Sequence, residues 1–338
     1  MKNIKVLSLF SGIGAFEKAL KNIGINFELI NYCEIDKFAS FSYSKLHNVS
    51  EYLNLGDVSK VDTNNLKDFD LLTYGFPCQD ISLAGSMNGI VKGKTRSGLL
   101  YEALRIINDK KPKFAIAENV KNLVSKKFIN DLDNMIQELD EMGYNSYYKV
   151  LNSKNYGSPQ SRERVFIVSI RKDVDTFNFK FPKEIECNIS INDIAEENIK
   201  DKYYCKNSYI REFIKNINSK VSDFKSKNKF GLIKVGDIQS PNMREMNKRV
   251  FSTNGCSPTL VTGSDSIPKI VSCKIRRLTP LECWRLTGFT NEDYFLVKES
   301  LENKFYGGKD RSDTQMYKMA GNSIVVEVLE HLLKELLK

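Results

Sequence analysis

Residues 4–16 read IKVLSLFSGIGAF. Ile4–Leu9 is a short apolar strand. Ala15–Ile23 reads as a helix, with Phe16, Leu20 and Ile23 on one side. Phe10-Ser11-Gly12-Ile13-Gly14-Ala15 turns the strand into the helix. Glycines there let a ligand approach the backbone beside a helix N-terminus, although a tight turn needs them equally.

The pattern repeats outward from this unit. Phe27–Cys33 reads as a strand and Lys37–Leu46 as a helix. A third strand is expected before Gly56-Asp57-Val58. Asp70–Tyr74 and Phe114–Ala117 read as buried fourth and fifth strands. Phe128–Met142 is a helix with Ile129, Leu132, Ile136, Leu139 and Met142 on one face, followed by strands at Tyr144–Leu151 and Val165–Ile170. Strands separated by helices predict a doubly wound, mostly parallel sheet. From about 175 to 275 the chain turns polar and irregular, with turn signals at Gly231, Gly236, Pro241, Gly255, Pro258, Gly263 and Pro268. This stretch is too long and too aromatic for a linker, and predicts a second, smaller domain without a strong core. Asn322–Leu337 closes the chain as a helix with an apolar side.

Composition narrows the chemistry. Hydrophobic residues at 41% and charged residues at 28% suit a globular protein, and no apolar run approaches the roughly 20 residues of a membrane span. The start runs directly into a strand, so an intracellular, cytoplasmic protein is expected. The net charge of +9 suits a polyanionic partner, as well as a merely lysine-rich composition. The 7 cysteines are scattered with no C-x-x-C pair, and the only histidines are His47 and His331. A disulfide framework, a zinc site and catalysis by a histidine pair are therefore not expected.

Chemistry-bearing residues collect at strand ends, where ligands bind in such sheets. Glu34 and Asp36 end the second strand, where an acid accepts hydrogen bonds from ribose hydroxyls, and Asp57 offers another acceptor nearby. Gly75-Phe76-Pro77-Cys78-Gln79 follows the fourth strand. The loop from Asp80 to Ser97 carries Gly85, Gly89, Gly93, Lys92, Lys94 and Arg96, which suits either a mobile lid meeting phosphates or a solvated surface. Glu118-Asn119-Val120 ends the fifth strand, where a desolvated carboxyl is a candidate proton donor. Arg162 and Arg164, in Gln160-Ser161-Arg162-Glu163-Arg164, face one way on an extended segment.

In this order the motifs resemble the DNA cytosine-5 methyltransferase family, of bacterial or phage restriction–modification or orphan type. Its Phe-x-Gly-x-Gly is similar to Phe10–Gly14, and its two acids to Glu34 and Asp57. Its Pro-Cys-Gln is similar to Pro77-Cys78-Gln79, its Glu-Asn-Val to Glu118-Asn119-Val120, and its Gln-x-Arg-x-Arg to residues 160–164. Its ninth and tenth motifs resemble Arg276–Leu286 and Gln315–Ser323. Ala15 stands where many members have a further glycine.

The resemblance implies a class I S-adenosylmethionine-dependent methyltransferase fold. It implies a catalytic domain over 1–174 completed by 312–338, with a target-recognition domain and hinge over 175–311. The implied activity is methyl transfer from S-adenosylmethionine, leaving S-adenosylhomocysteine, to carbon 5 of a flipped-out cytosine in a short DNA site. No metal is implied. Cys78 is the implied nucleophile, Glu118 the group at ring nitrogen 3, and Arg162, with Arg164 beside it, the donor to oxygen 2. Phe10, Gly12, Gly14, Glu34, Asp57, Pro77, Leu100 and Asn322 are implied around the cofactor. Gln79, Ser82, Lys92, Lys94, Arg96, Thr259, Leu260 and Arg276 are implied against DNA. The implied partner is double-stranded DNA, with no membrane. Action as a monomer is implied, either beside a separately encoded restriction endonuclease or as an orphan enzyme. Relatives acting on tRNA carry a Cys-Phe-Thr tripeptide in the second domain, which is absent here. A DNA-binding protein without catalysis is disfavoured by the intact Cys78, Glu118 and Arg162.

Overall fold

The computed structural model describes residues 3–82, 87–186, 188–206, 208–217, 231–241, 243–263, 266–271 and 274–338. Gly85, Cys187 and Cys273 lie outside them. The chain divides into two compact units. Unit 1 comprises residues 1–151, 163–182 and 329–338; unit 2 comprises 152–162 and 183–328.

Unit 1 is built on strands β1 (Ile4–Leu9), β2 (Phe27–Cys33), β3 (Leu71–Tyr74), β4 (Phe114–Val120), β5 (Tyr144–Asn152) and β7 (Glu163–Arg171), in the order β2-β1-β3-β4-β7-β5. The first four are mutually parallel, whereas β7 runs antiparallel to β4. Helices α1 (Ala15–Asn22), α2 (Lys37–His47), α3 (Leu100–Lys110) and α4 (Ile129–Glu141) connect them. The central strands are mostly apolar, as suits strands covered on both faces, and the buried Ser8 and Thr73 hydroxyls bond to each other at 3.1 Å. Leu7, Leu72, Ala115 and Ile167 are among the side chains that form the core with α3 and α4.

One buried acid breaks this pattern. Glu17 on α1 is about 1% exposed. Burial raises its pKa above the ordinary carboxylate value, against the pull of the backbone, the Ser8 and Tyr43 hydroxyls and Lys21. A raised folded-state pKa contributes stability below the unfolded value, about 4.3, and that contribution is lost as pH rises through the folded value. Glu17→Gln is therefore expected to match the wild type in melting temperature near pH 5 and to exceed it increasingly toward pH 8. Parallel melting curves across that range would disprove the assignment.

The expected third strand does not form. Residues 51–53 are a 3-10 turn capped by Ser50, whose hydroxyl accepts the Tyr52 N–H, and only Asn54 bridges to Tyr32. The acceptor sites were expected one per strand, but Asp57 lies in a loop.

Unit 2 holds a four-stranded sheet, β12-β11-β9-β8, made of β8 (Lys234–Asp237), β9 (Arg249–Ser252), β11 (Lys269–Val271) and β12 (Ile275–Arg277). Strands of three or four residues are too short for an alternating pattern to stand out, so this region read as irregular. It also has a small core of Ile210, Ile238, Val250 and Ile275. Two-residue strands β6 (Gln160–Ser161) and β10 (Ser257–Pro258) pair in parallel. Short helices α5 (Ile191–Ile194), α6 (Ser208–Ile217) and α7 (Glu245–Lys248) lie among these strands in sequence, and α8 (Pro280–Arg285), α9 (Asn291–Tyr306) and α10 (Asp313–Asn322) follow. Trp284 is fully buried, donating from Nε1 to the Met316 carbonyl at 3.0 Å.

The last helix, α11 (Val326–Leu336), starts later than expected. Asn322 ends α10, and Ser323 leaves helical geometry at ψ 149°. Among the described residues no helix is long and apolar enough to cross a membrane.

Candidate active site

The loops that leave β1, β2, β3 and β4 lie at the carboxyl ends of parallel strands, and each presents one of the expected groups. After β1, Phe10 has φ +53°, and Gly12 and Gly14 have φ +57° and +79°. This left-handed path suits glycine and strains other residues. Gly14 is constrained twice, because a Cβ there would lie 2.1 Å from His47 Nε2. His47, expected to be structural, makes a 3.0 Å hydrogen bond with the Ile13 carbonyl and so supports the turn.

Glu34 accepts the Gly12 N–H at 2.9 Å and the Asp36 N–H at 2.7 Å. Burial raises its carboxyl above the ordinary range while these backbone donors pull it back. Asp36 is instead the N-cap of α2, accepting from the Phe38 and Ala39 amides. Cys33 records how the acids cluster: its thiol is pushed up to about 12, first by burial and then by the charges of Asp57 and Glu34. Asp57 accepts from the Ser59 amide and hydroxyl, which hold its pKa below the usual value. Asn54, which the sequence reading passed over, ties these groups together. Its Oδ1 accepts from the Glu34 and Gly56 amides, and its Nδ2 donates to the Glu34 carbonyl. Leu100 begins α3 with its side chain in the core, which leaves only main chain for a ligand to meet.

The loop after β3 is pinned at three successive carbonyls. Asn119 Nδ2 donates to Phe76 O at 3.1 Å, Ser97 Oγ donates to Pro77 O at 2.7 Å, and the Ile81 and Ser82 amides donate to Cys78 O at 3.0 and 2.8 Å. Asp80 accepts the Ser97 amide at 3.0 Å, and Asn122 reaches the Ile81 carbonyl at 2.6 Å. The backbone under Cys78 is thus fixed from β4, from the segment entering α3 and from its own turn. Cys78 is part-exposed, and Gln79 is exposed. Farther along the loop Lys92, Lys94 and Arg96 are exposed, with Lys92 Nζ 5.4 Å from the Tyr101 ring centre. Asn119 stood in a quoted motif and Ser97 bounded the loop, but neither had a role. Only the folded chain shows which carbonyls they meet.

Glu118 forms an ion pair with Arg164, Oε1 to Nε at 3.0 Å, with side chains about 12% and 17% exposed. The antiparallel register, with Val120 opposite Arg164, brings the two residues to one face. Arg162 differs from the expectation that it leads in binding substrate. It is buried, with its guanidinium donating at 3.2 Å to the carbonyls of Leu260 and Gly321 inside unit 2. Gln160 and Thr259 complete that arrangement: Gln160 binds the Leu286 carbonyl and the Leu260 amide, and Thr259 Oγ1 donates to Ser161 O at 2.8 Å. Leu260 is itself buried, so the Thr-Leu pair braces the arginine-bearing segment.

Arg276 is not free to meet phosphate. It is about 6% exposed, and both guanidinium nitrogens sit 2.7 Å from the carboxylate of the fully buried Glu282. A bidentate pair taken out of water satisfies its own charge. Asn322 is exposed at the end of α10 in unit 2.

A family model described as C-5 cytosine-specific DNA methylase matches residues 4–338. The orphan methyltransferase M.SPBetaI of Bacillus phage SPbeta is 32% identical, over all of this chain and 98% of its own length. The type II methyltransferase M.HhaI of Haemophilus parahaemolyticus is 31% identical over 98% of this chain and 94% of its own. The solved Dnmt2 methyltransferase of S. pombe shares the fold, with a TM-score of 0.65 at 19% identity, covering 99% of each chain. A mostly parallel sheet, with a family model and relatives that match the chain end to end, leaves one assignment: the chain belongs to the C-5 cytosine-specific DNA methylase family and methylates cytosine in DNA.

Proposed function

We propose that the chain methylates carbon 5 of cytosine by covalent catalysis from Cys78, with S-adenosylmethionine as donor. The observation that carries this reading is the Cys78 loop, held at three successive carbonyls at a strand end in the unit that also holds the Glu118–Arg164 pair.

Carbon 5 of cytosine is a weak nucleophile. Addition of the Cys78 thiolate to carbon 6 makes the ring an enamine and carbon 5 reactive. Glu118 holds ring nitrogen 3 and so favours that addition. Arg164 orients Glu118 and supplies positive charge for oxygen 2. Loss of the carbon-5 proton then expels Cys78. Arg162 acts as a positioning residue. The target base leaves the duplex to reach Cys78. Gln79, Ser82, Lys92, Lys94 and Arg96 face the DNA, and unit 2 reads the sequence.

The residues around Glu34 fit the donor. Each Glu34 oxygen accepts one backbone N–H and keeps acceptor capacity for a ribose hydroxyl. Ile35 beside it is about 79% exposed, an apolar surface for a purine. S-adenosylmethionine, when bound, supplies an electrophilic methyl group. Phe10, Gly12, Gly14, Asp57, Pro77 and the Leu100 main chain complete its surroundings within unit 1.

The test is bisulfite sequencing of DNA from a host expressing the chain, with a parallel transfer assay on purified duplex DNA and tRNA. Protected cytosines at one short recurrent site, and transfer to DNA only, are expected. Transfer to tRNA alone would overturn the proposal.

A further inference from the structure

Unit 2 contains a cleft of about 300 Å³ lined by residues 202–205 with Ile267, Lys269 and Arg277. One wall is built along a sheet edge. The Cys205 amide donates to the Ile275 carbonyl at 3.0 Å, and Tyr204 bridges Arg276, so residues 204–205 run beside β12. The other wall is the β11–β12 pair, in which Lys269 stands directly opposite Arg277. Like charges at directly opposite positions of an antiparallel pair repel and lower stability. An anion held between them reverses the sign of that interaction.

Arg277 is set up to receive one. Its guanidinium carbon lies over the Tyr203 ring at 5.6 Å and the Tyr317 ring at 5.8 Å. A cation–π contact engages the charge of the group and offers its N–H donors no lone-pair acceptor. Among the described residues no carboxylate or carbonyl takes them. Lys202 is held by Asp313 at 2.6 Å, whereas Lys269 donates to the neutral Asn247 carbonyl at 2.7 Å, which leaves its charge uncancelled by that bond. Both Lys269 and Arg277 act on the Cys205 thiol, lowering a pKa that burial raises, so the two charges converge on the same space. Lys274 adds a third cation over the neighbouring Tyr204 ring at 5.5 Å.

We propose that this cleft binds a phosphate group of the DNA backbone between Arg277 and Lys269, outside the residues that read bases. The inference rests on the reading of unit 2 as the DNA-reading unit. A phosphodiester in a strand and the phosphate of a free mononucleotide share the same chemistry, so the experiment separates them.

Affinity of the full chain for a mixed-sequence duplex is measured against salt for the wild type, Arg277→Gln, Arg277→Lys and Lys269→Gln, with melting temperatures as a check on folding. Each Gln variant is expected to flatten the slope of log affinity against log salt by about 0.9, the share of one phosphate contact. Arg277→Lys, which keeps the charge, is expected to retain the slope. In the wild type alone, alkylation of Cys205, followed by peptide mass, is expected to slow with duplex and not with dCMP or inorganic phosphate. Unchanged slopes in both Gln variants, or Cys205 labelling indifferent to a bound duplex, would overturn the inference while leaving DNA binding by the chain intact. Protection by dCMP or phosphate equal to that by duplex would overturn the assignment to DNA. A wild-type chain that binds no duplex overturns the reading of unit 2 itself.

Discussion

Cys78→Ser is expected to lower methyl transfer to duplex DNA on the order of 10³-fold or more, with a melting temperature close to that of the wild type. The two outcomes follow from different atoms. The loop is held through its carbonyls, at Phe76, Pro77 and Cys78, and none of these bonds uses the sulfur. The serine variant should therefore keep the loop, and equilibrium dialysis should find donor binding unchanged. What it loses is the nucleophile, because a thiol forms its anion near neutral pH and a serine hydroxyl does not. A duplex with 5-fluorocytosine at the target gives the complementary readout. Thiolate adds to carbon 6 and the methyl group arrives at carbon 5, but fluorine cannot leave as a cation, so the adduct persists. A denaturant-stable complex is expected from the wild type, only in the presence of S-adenosylmethionine, and none from Cys78→Ser. Equal trapping by the serine variant would place the nucleophile elsewhere.

The second large effect is expected at Glu118. Glu118→Gln should slow single-turnover methylation by about 10²- to 10⁴-fold, the usual worth of a positioned proton-transfer group, with a change in DNA affinity of less than about tenfold. The amide keeps the size of the side chain and can still hydrogen-bond to the base, but it neither gives up a proton nor balances the charge of Arg164 3.0 Å away. Arg164→Ala should cost activity through the same contact, and the double variant should lose less than the product of the two single losses, since paired residues are non-additive. If both single variants turn over near the wild-type rate, the pair only supports the β4–β7 pairing.

How much of this was legible beforehand depended on the range of the interaction. The glycine turn, the acid after β2, the Pro-Cys-Gln loop and the Glu-Asn-Val strand end could be named because each is a local pattern next to a mostly apolar strand. The strand before Gly56 was expected for the same reason, but there a serine-capped turn replaced it. The short strands of unit 2 were missed because three or four residues carry too little periodicity. The roles of Asn54, Ser97 and Asn119 were not legible at all. Each is a side chain bonding to backbone 20 to 43 residues away.

The two arginines of residues 160–164 show the division most clearly. By itself the sequence determined that strands and helices alternate, that chemistry collects at strand ends and that Arg162 and Arg164 belong to one extended segment, since these follow from side-chain period and from turn residues. It gave both arginines one direction and one task. Only the tertiary structure decided that Arg164 pairs with Glu118, whereas Arg162 is buried against the carbonyls of Leu260 and Gly321, and that Arg276 neutralises Glu282. The physical reason is that a guanidinium's role is set by the acceptor that reaches it once water is removed. Those acceptors come from segments up to 159 residues distant in the chain.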